Sequence, residues 1–315
     1  MSAAKRKPGP ASGTLRACRA ALHAACLALS LAAADAHAGT PCDETPPTAQ
    51  DIQHAMTLAD HVQRSLDASG AQVVLLARAG QDLRKYGLTY SHLAFAYRET
   101  VPVETPPSRV VDTTQVLASM GDPDAMAVAA SRDAAVPATR TVWRIAHKLN
   151  QCGTADAAVF RQGLGQFFMD TPFEYRAAYV VPDPEVQAAL LQTLHDDKRL
   201  LRWHTPAYSV VAYPWATTYQ QSNQWALETL AGSLDPAAST RARAQAWLRL
   251  HDYQPTVLHI DAFTRLGARI TKANVAFDDH PNSQRFSDHI ATVTVDSMFD
   301  WLQRENMAGA PVTVW

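Results

Sequence analysis

A histidine and a serine, far apart in the chain, are the side chains whose types and settings could do covalent chemistry. His92 lies in a stretch of alternating side chains at residues 90–97 that predicts a β-strand. Ser222 opens a stretch at residues 222–230 that predicts a helix. A hydroxyl at a helix start gains from free backbone N–H groups and the helix dipole, and a nearby imidazole can take its proton. The pair predicts a nucleophile, Ser222, with His92 as its general base.

Both residues also have structural interpretations, which stay open at the level of sequence. A histidine on an apolar strand can be a hydrogen-bonded core residue, and serine is a favoured N-cap of helices. A reactive pair would need a third group to orient the imidazole. His147, on the strand predicted at residues 141–149, is the candidate for that position.

The run Asp278-Asp279-His280 offers the groups that bind calcium or transition metals. Adjacent side chains rarely converge on one ion, so a turn or a helix cap is favoured here. No metal site and no cofactor is predicted. With 28 Lys+Arg against 30 Asp+Glu, the chain has no basic excess to neutralise phosphates, which argues against a nucleic-acid partner.

The N-terminus predicts export. Five basic residues precede an apolar run at residues 20–34, and Ala36-His37-Ala38 supplies a small-residue cleavage pattern. Residues 1–38 are therefore predicted to be a signal peptide, with a periplasmic or secreted product. The alternative is a membrane anchor, but the run is shorter than the roughly 20 residues that span a bilayer. No later stretch reaches that length, so residues 39–315 are predicted to form a single domain with no transmembrane segment.

Two cysteines, Cys42 and Cys152, remain after residues 1–38 are removed. An even pair in an exported protein predicts a disulfide. Closing a loop of 110 residues (152 − 42) would stabilise the fold by roughly 4–5 kcal/mol in the chain-entropy model. The competing interpretation makes Cys152 a nucleophile. Because a lone exported thiol is prone to oxidation, the disulfide is favoured.

Helical and strand patterns alternate without a strict βαβ rhythm. They predict an α+β fold built on a mainly antiparallel sheet of five or six strands packed by helices. Residues 99–139 contain five prolines and no aromatic residue, and they predict a partly disordered surface insertion. Other predicted elements are a helix at 48–69, a strand at 73–77, a helix at 156–163, strands at 175–181 and 208–213, helices at 184–194 and 240–251, strands at 257–260 and 290–295, and a last helix capped by Asp296.

Five short motifs resemble those of domain-of-unknown-function family 2145, a family of secreted proteobacterial proteins. The motifs lie at residues 78–83, 90–92, 149–154, 222–225 and 274–281. The resemblance covers nearly the whole chain after residue 40, except the insertion at 99–139. It implies membership of the family and brings no activity with it.

A second resemblance is to circularly permuted papain-like proteins of the NlpC type. In those, a Ser-His pair opens an early strand, and a catalytic cysteine later starts a helix in a pattern like Asn-Cys-Ser-Glu-Trp. By motif, His92 matches the general base and Ser222 the cysteine. The resemblance implies a papain-like fold and hydrolysis or transfer at amide or ester bonds, in cell-wall peptides or acyl lipids. The flanking residues that we predict to bind substrate are Tyr90, Asn223, Gln224 and Trp225.

Serine in place of cysteine is a departure from that pattern, because an alkoxide is much harder to form than a thiolate. Three hypotheses follow. The protein is a hydrolase or acyltransferase that uses Ser222; or it is an inactive relative that binds a peptide or lipid in the same cleft; or it is a structural protein of the cell envelope in which these motifs only build the fold.

Overall fold

A six-stranded antiparallel sheet runs through the middle of the protein, with strand order β4-β3-β2-β1-β5-β8. The computed structural model describes residues 46–103, 123, 139–151 and 153–315. The strands of this sheet are β1 (Val73–Arg78), β2 (His92–Pro102), β3 (Thr139–Asn150), β4 (Ala157–Gly163), β5 (Ala177–Val180) and β8 (Val312–Val314). A separate antiparallel hairpin consists of β6 (Thr256–His259) and β7 (His289–Thr292). The predicted α+β class and antiparallel sheet are confirmed.

Helices cover both faces of the sheet. The helices of the described residues are α1 (Ala49–Ala68), α2 (Leu164–Phe168), α3 (Pro184–Leu194), α4 (Asp197–Leu200), α5 (Ser222–Leu234), α6 (Arg241–Leu250), α7 (Ala262–Thr271), α8 (Asn282–Arg285) and α9 (Val295–Arg304), with a 3-10 turn at Arg84–Tyr86. None of the helices in the described ranges combines the length and apolar character needed to cross a bilayer.

Helices α1 and α2 cover one face of the sheet. Thr48 forms a capping box with Asp51, which satisfies backbone donors at the start of α1. Leu58, Val62 and Leu66 of α1 then fall on one buried side. They pack with the side chains that β2 sends to this face, such as Ala94 and Ala96. We call this the α1 face of the sheet.

Helix α5 lies on the opposite face, where the next side chains of β2 point. Phe95 packs edge-on against Trp225, with ring centroids 5.9 Å apart. The first ten residues of α5 are buried, because α3, α6 and α9 enclose it. Gly232 lets the indole ring of Trp203 lie directly on the helix, where a Cβ would collide with it. We call this the α5 face.

Two predicted elements are wrong. The segment at 156–163 is strand β4 rather than a helix, and it pairs with β3 from Asn150↔Ala157 to Arg144↔Gly163. That ladder overrides the local helical propensity of an alanine-rich segment. The segment at 208–213 is not a strand; it is an irregular stretch that hydrogen-bonds to residues 274 and 276. The last helix is capped by Thr294 and not by Asp296.

The ends of the predicted insertion are ordered strands. Strand β2 continues to Pro102, and β3 begins at Thr139, with Pro102 and Thr139 paired. The insertion between the two strands is therefore narrower than 99–139. Residues 104–122 and 124–138, Cys42, Cys152 and the predicted signal peptide lie outside the described residues, so the disulfide stays a prediction.

Candidate functional site

A cavity of about 560 Å³ lies at the end of the sheet where β2 begins, beneath the β6–β7 hairpin. Its walls include His92 of β2, Ser222 of α5 and Thr264 of α7. One side is apolar, formed by a small cluster that packs Leu88, Leu258, Ile260, Phe277 and Ile290 together. The volume suits a small organic ligand.

His92 lines this cavity but is almost completely buried, with 8% of its surface exposed. Strand alternation puts its side chain on the α1 face, beside Phe167 at a centroid distance of 5.9 Å. Leu93, the next residue, points to the α5 face. The imidazole of His92 and helix α5 are therefore on opposite faces of the sheet, and they approach one cavity only at the sheet's end.

His147, the candidate for an orienting group, is hydrogen-bonded to His92. Nδ1 of His147 lies 2.9 Å from Nε2 of His92, and Nε2 of His147 lies 3.0 Å from Oε1 of Gln162 on β4. With Gln162 Oε1 as acceptor, His147 carries its proton on Nε2 and accepts one from His92 Nε2. Nδ1 of His92 is then an unprotonated acceptor. We call His92, His147 and Gln162 the histidine relay.

Both histidines of the relay favour the neutral form. Burial lowers the pKa of His92 well below its usual 6.5, and Arg78 and His147 lower it further. Burial lowers the pKa of His147 to about 4, with Arg78 acting in the same direction. A general base that activates serine must become an imidazolium, and a carboxylate usually stabilises that charge. Here a guanidinium opposes the charge, so the relay orients His92 without making it a strong base.

Arg78 supplies that opposing charge, at the end of β1 opposite His92. Its guanidinium donates to both oxygens of Asp170 and to the carbonyl of Phe167, and it lies over the Phe167 ring at 4.8 Å. Its Nε is buried and has no partner among the described residues. Arg78 is one of the residues that line the cavity, although this Nε itself has almost no accessible surface.

Asn274 also lines the cavity and also has a buried atom without a hydrogen-bond partner in the described part of the chain. Its Nδ2 donates to Oδ1 of Asn150 at 3.2 Å. Its Oδ1 is buried and, within the described ranges, accepts no hydrogen bond. Buried polar atoms in native structures are nearly always paired. Arg78 and Asn274 thus each have a buried polar atom that no described residue pairs, and both are polar residues of the cavity lining.

Ser222 is the first residue of α5 and does not cap it. The N-cap is Gln221, whose side chain makes no capping bond. Ser222 lies against Tyr208: burial raises the pKa of the Tyr208 phenol, and hydrogen bonds with the side chain and backbone of Ser222 partly offset that rise. The N-cap alternative for Ser222 is therefore wrong, and its hydroxyl sits beside a phenol rather than in a helix cap.

Asn223 fixes the start of α5 to the start of β2. Its Oδ1 accepts from the backbone N–H of Leu93 at 2.9 Å, and its Nδ2 is 3.4 Å from the carbonyl oxygen of Val293. Gln221 also donates to Val293, at 2.8 Å. These amides are structural ties between segments. Asn223 and Tyr90 also line the cavity, and their predicted contact with substrate stays a prediction.

Gln224 and Trp225 are placed away from the cavity wall. Gln224 is buried, and its Nε2 is 3.2 Å from the carbonyl of Tyr213. Trp225 is fully buried against Phe95 in the core of the α5 face. Side chains that point into the core cannot touch a ligand in the cavity, so this geometry gives no support to their predicted substrate contact.

The Asp278-Asp279-His280 run forms a turn that is hydrogen-bonded internally. Nδ1 of His280 is 2.9 Å from Asp279, and its Nε2 is 2.9 Å from the carbonyl of Ala291. Asp279 also accepts from the backbone N–H of Tyr213. Within the described residues no group of three or more His, Cys, Asp or Glu side chains could hold a metal ion.

A second buried polar group lies on the α5 face. Lys148 follows His147 on β3 and donates to Gln220 at 2.8 Å and to the carbonyl of Thr205 at 2.6 Å. Glu228 of α5 is fully buried and accepts from Arg241 at 2.7 Å. Gln220 and Gln245 also donate to this carboxylate. We call Lys148, Gln220, Glu228, Arg241 and Gln245 the charged cluster; none of its members lines the cavity.

A family model described as "Uncharacterized protein conserved in bacteria (DUF2145)" matches residues 65–116 and 124–302. The chain belongs to the DUF2145 family. This confirms the membership that the motifs predicted, although the DUF2145 match also covers most of residues 99–139, which we expected it to skip. No curated protein and no solved structure matches this DUF2145 chain. The papain-like resemblance stays a prediction.

Gln162, Tyr208 and the free atoms of Arg78 and Asn274 were not predicted as site residues. Gln162 and Tyr208 lie in the two segments whose secondary structure was assigned wrongly. Arg78 and Asn274 belong to motifs at 78–83 and 274–281 that supported the family resemblance. Their place in those motifs is the feature of the sequence that could have identified Arg78 and Asn274 as site residues.

Proposed function

We propose that this DUF2145 protein acts in the cell envelope, where it binds an amphipathic ligand in the cavity without converting it. The cavity carries the proposal: one side is apolar, and the polar residues Arg78, Ser222 and Asn274 are among those that line the rest. A ligand with an acyl chain or apolar peptide portion would pack against the apolar side. Its carbonyl or amide groups would meet the polar lining residues.

The state of the histidines supports binding over turnover. His92 is held neutral by burial, and a positive charge on it is opposed by Arg78. Its side chain is on the sheet face opposite to α5, which carries Ser222. Neither condition favours proton transfer from a serine hydroxyl.

The second candidate is the hydrolase or acyltransferase. One observation favours it: Ser222 lines the same cavity as His92, at a helix start that offers free backbone N–H groups. In that reaction Ser222 Oγ would attack an ester or amide carbonyl, and His92 Nδ1 would take the hydroxyl proton and return it to the leaving group. Water or another acceptor would then release the acyl group.

Binding of dansylated undecanoic acid tests the first candidate. Fluorescence titration should give the same affinity for the wild type and for Ser222→Ala. Val211→Trp, which fills the cavity, should weaken binding at least tenfold. Val257→Trp is the matched control, because Val257 is exposed on β6 and does not line the cavity. Equal binding by Val211→Trp would contradict the proposal.

A fluorophosphonate probe separates the two candidates. An activated serine displaces fluoride and keeps the phosphonyl group, so intact-mass measurement detects the adduct. We expect no adduct on the wild type and no turnover of acyl esters. An adduct on Ser222 that disappears in His92→Ala but persists in Ser233→Ala, a control on the same helix, would establish the second candidate instead.

A further inference from the structure

Helix α7 has its apolar side turned outward. Phe263, Leu266 and Ile270 fall on one side of the helix and are 87%, 57% and 56% exposed. The only buried residue of the helix is a cation, Arg265, which pairs with Asp288. A surface helix of a soluble domain normally buries its apolar stripe and exposes its charges. Helix α7 does the reverse, so the described structure gives its apolar side no partner.

The inner side of α7 borders the cavity. Thr264 and Ala268, on the side away from Phe263 and Ile270, line the cavity wall. Asp261 caps the helix by accepting from Thr264, which fixes the first turn. The helix is therefore an ordered wall of the cavity, with its apolar side facing outward.

Charge on the helix is complementary to an anionic surface. Arg269 and Lys272 are exposed at the C-terminal end of α7. No ion pair to either residue forms among the described side chains. Phe286, 72% exposed, lies two residues from Asp288, the partner of Arg265, and adds a further apolar side chain to this region. Exposed aromatic and aliphatic residues beside free cations are typical of helices that lie in the interface of an anionic bilayer.

We propose that the outer side of α7 binds the surface of a lipid bilayer that contains anionic lipids. Phe263, Leu266 and Ile270 insert among the headgroups, and Arg269 and Lys272 contact lipid phosphates. This docking places the cavity next to the bilayer. The proposal does not depend on the proposed ligand of the cavity or on any reactivity of Ser222.

Vesicle co-sedimentation tests the docking. The protein is purified as the producing cell processes it, and its N-terminus is identified by mass spectrometry; all variants share that N-terminus, so its contribution cancels. The wild type should bind vesicles of phosphatidylethanolamine with phosphatidylglycerol more tightly than vesicles of phosphatidylcholine, and added salt should weaken the binding.

Paired variants identify the residues. Phe263→Ser with Ile270→Ser should reduce vesicle affinity at least tenfold, because two apolar side chains leave the bilayer. Leu250→Ser is the matched control; Leu250 is 82% exposed at the end of α6 and should leave binding unchanged. Arg269→Gln with Lys272→Gln should cost about fivefold for each charge on anionic vesicles only. All of these residues are exposed, and circular dichroism checks that each variant is folded.

Three results would overturn the proposal. The first is a wild type that does not bind anionic vesicles. The second is equal binding by the wild type and by the Phe263→Ser, Ile270→Ser variant. The third is a dimer in analytical ultracentrifugation that the same variant dissociates, because a second copy of the chain would then cover α7. Val211→Trp, which blocks the cavity, should bind vesicles normally, so failure of the proposed function is distinguishable from failure of the docking.

Discussion

The histidine relay and the charged cluster begin at neighbouring residues of β3 and differ in almost every other respect. His147 points to the α1 face and Lys148 to the α5 face, as alternation along a strand requires. The relay is neutral, and His92 borders the cavity. The charged cluster contains a buried ion pair and has no member on the cavity wall. The Glu228–Arg241 ion pair therefore lies away from the cavity, whereas the relay brings a neutral histidine, His92, to it.

Breaking the ion pair of the charged cluster should have the largest effect. Arg241→Met leaves the fully buried carboxylate of Glu228 without its cation. We expect the free energy of unfolding to fall by about 3–5 kcal/mol, the usual cost of an uncompensated buried charge. Urea denaturation measures it. Arg243→Met, at an exposed site on the same helix, is the control and should change stability by less than about 0.5 kcal/mol.

A double variant sharpens this test. Replacing both partners, with Arg241→Met and Glu228→Leu, removes the charge that Arg241→Met leaves behind. Most of the lost stability should return. If the double variant is no more stable than Arg241→Met, the ion pair is not what makes the cluster important.

Because the histidine relay is neutral in the folded protein, we expect the free energy of unfolding to fall in acid. In the folded protein, burial lowers the pKa of His147 to about 4, so His147 stays unprotonated between pH 6.5 and 4. In the unfolded chain, His147 is protonated below pH 6.5. Stability is therefore lost as the pH falls from about 6.5 to 4, by about 3 kcal/mol from this histidine. His147→Phe should remove that part of the loss. Urea midpoints at pH 7 and 4.5 measure it, and His54→Phe at an exposed site of α1 should keep the wild-type loss.

Lys148 should produce a similar slope in the alkaline range, with a smaller total effect over the narrower pH window tested. Burial, aided by Arg241, lowers the pKa of Lys148 from 10.5 to about 7. Above pH 7 the unfolded state holds a proton that the folded state has released, so this group makes stability rise with pH. The slope is about 1.4 kcal/mol per pH unit at most. Lys148→Met should flatten it between pH 7.5 and 9, whereas Lys198→Met at an exposed site should not.

The sequence predicted much of the sheet because the strand patterns of β1, β2 and β3 are strong. The alternation noted at residues 90–97 is also observed in the structure, where Phe95 and Ala96 lie on opposite faces of the sheet. Strand β4 was missed because its alanines favour a helix locally, and only its pairing with β3 makes it a strand. The same error hid Gln162, which sets the proton positions of the relay.

The candidate site was predicted in part, and its arrangement was not predicted. His92, His147 and Ser222 were identified from residue type and motif, and the structure brings His92 and His147 into contact. Sequence could not show that His92 and α5 lie on opposite faces, because that depends on how the helix packs. Helix α7 was missed altogether, although Asp261 and Thr264 form a helix-start pattern. Nothing in the sequence alone indicated that the apolar residues of α7 would be exposed.

The ties made by Asn223 have a consequence for the timing of folding. Asn223 is hydrogen-bonded to Leu93, 130 positions earlier in the chain, and to Val293, 70 positions later. Contacts of such sequence separation form late, after the loops between them have closed. The cavity, whose lining extends from Arg78 to Thr294, therefore cannot exist in a partly synthesised chain, and a ligand such as the one proposed above could bind only after the whole of this stretch has folded.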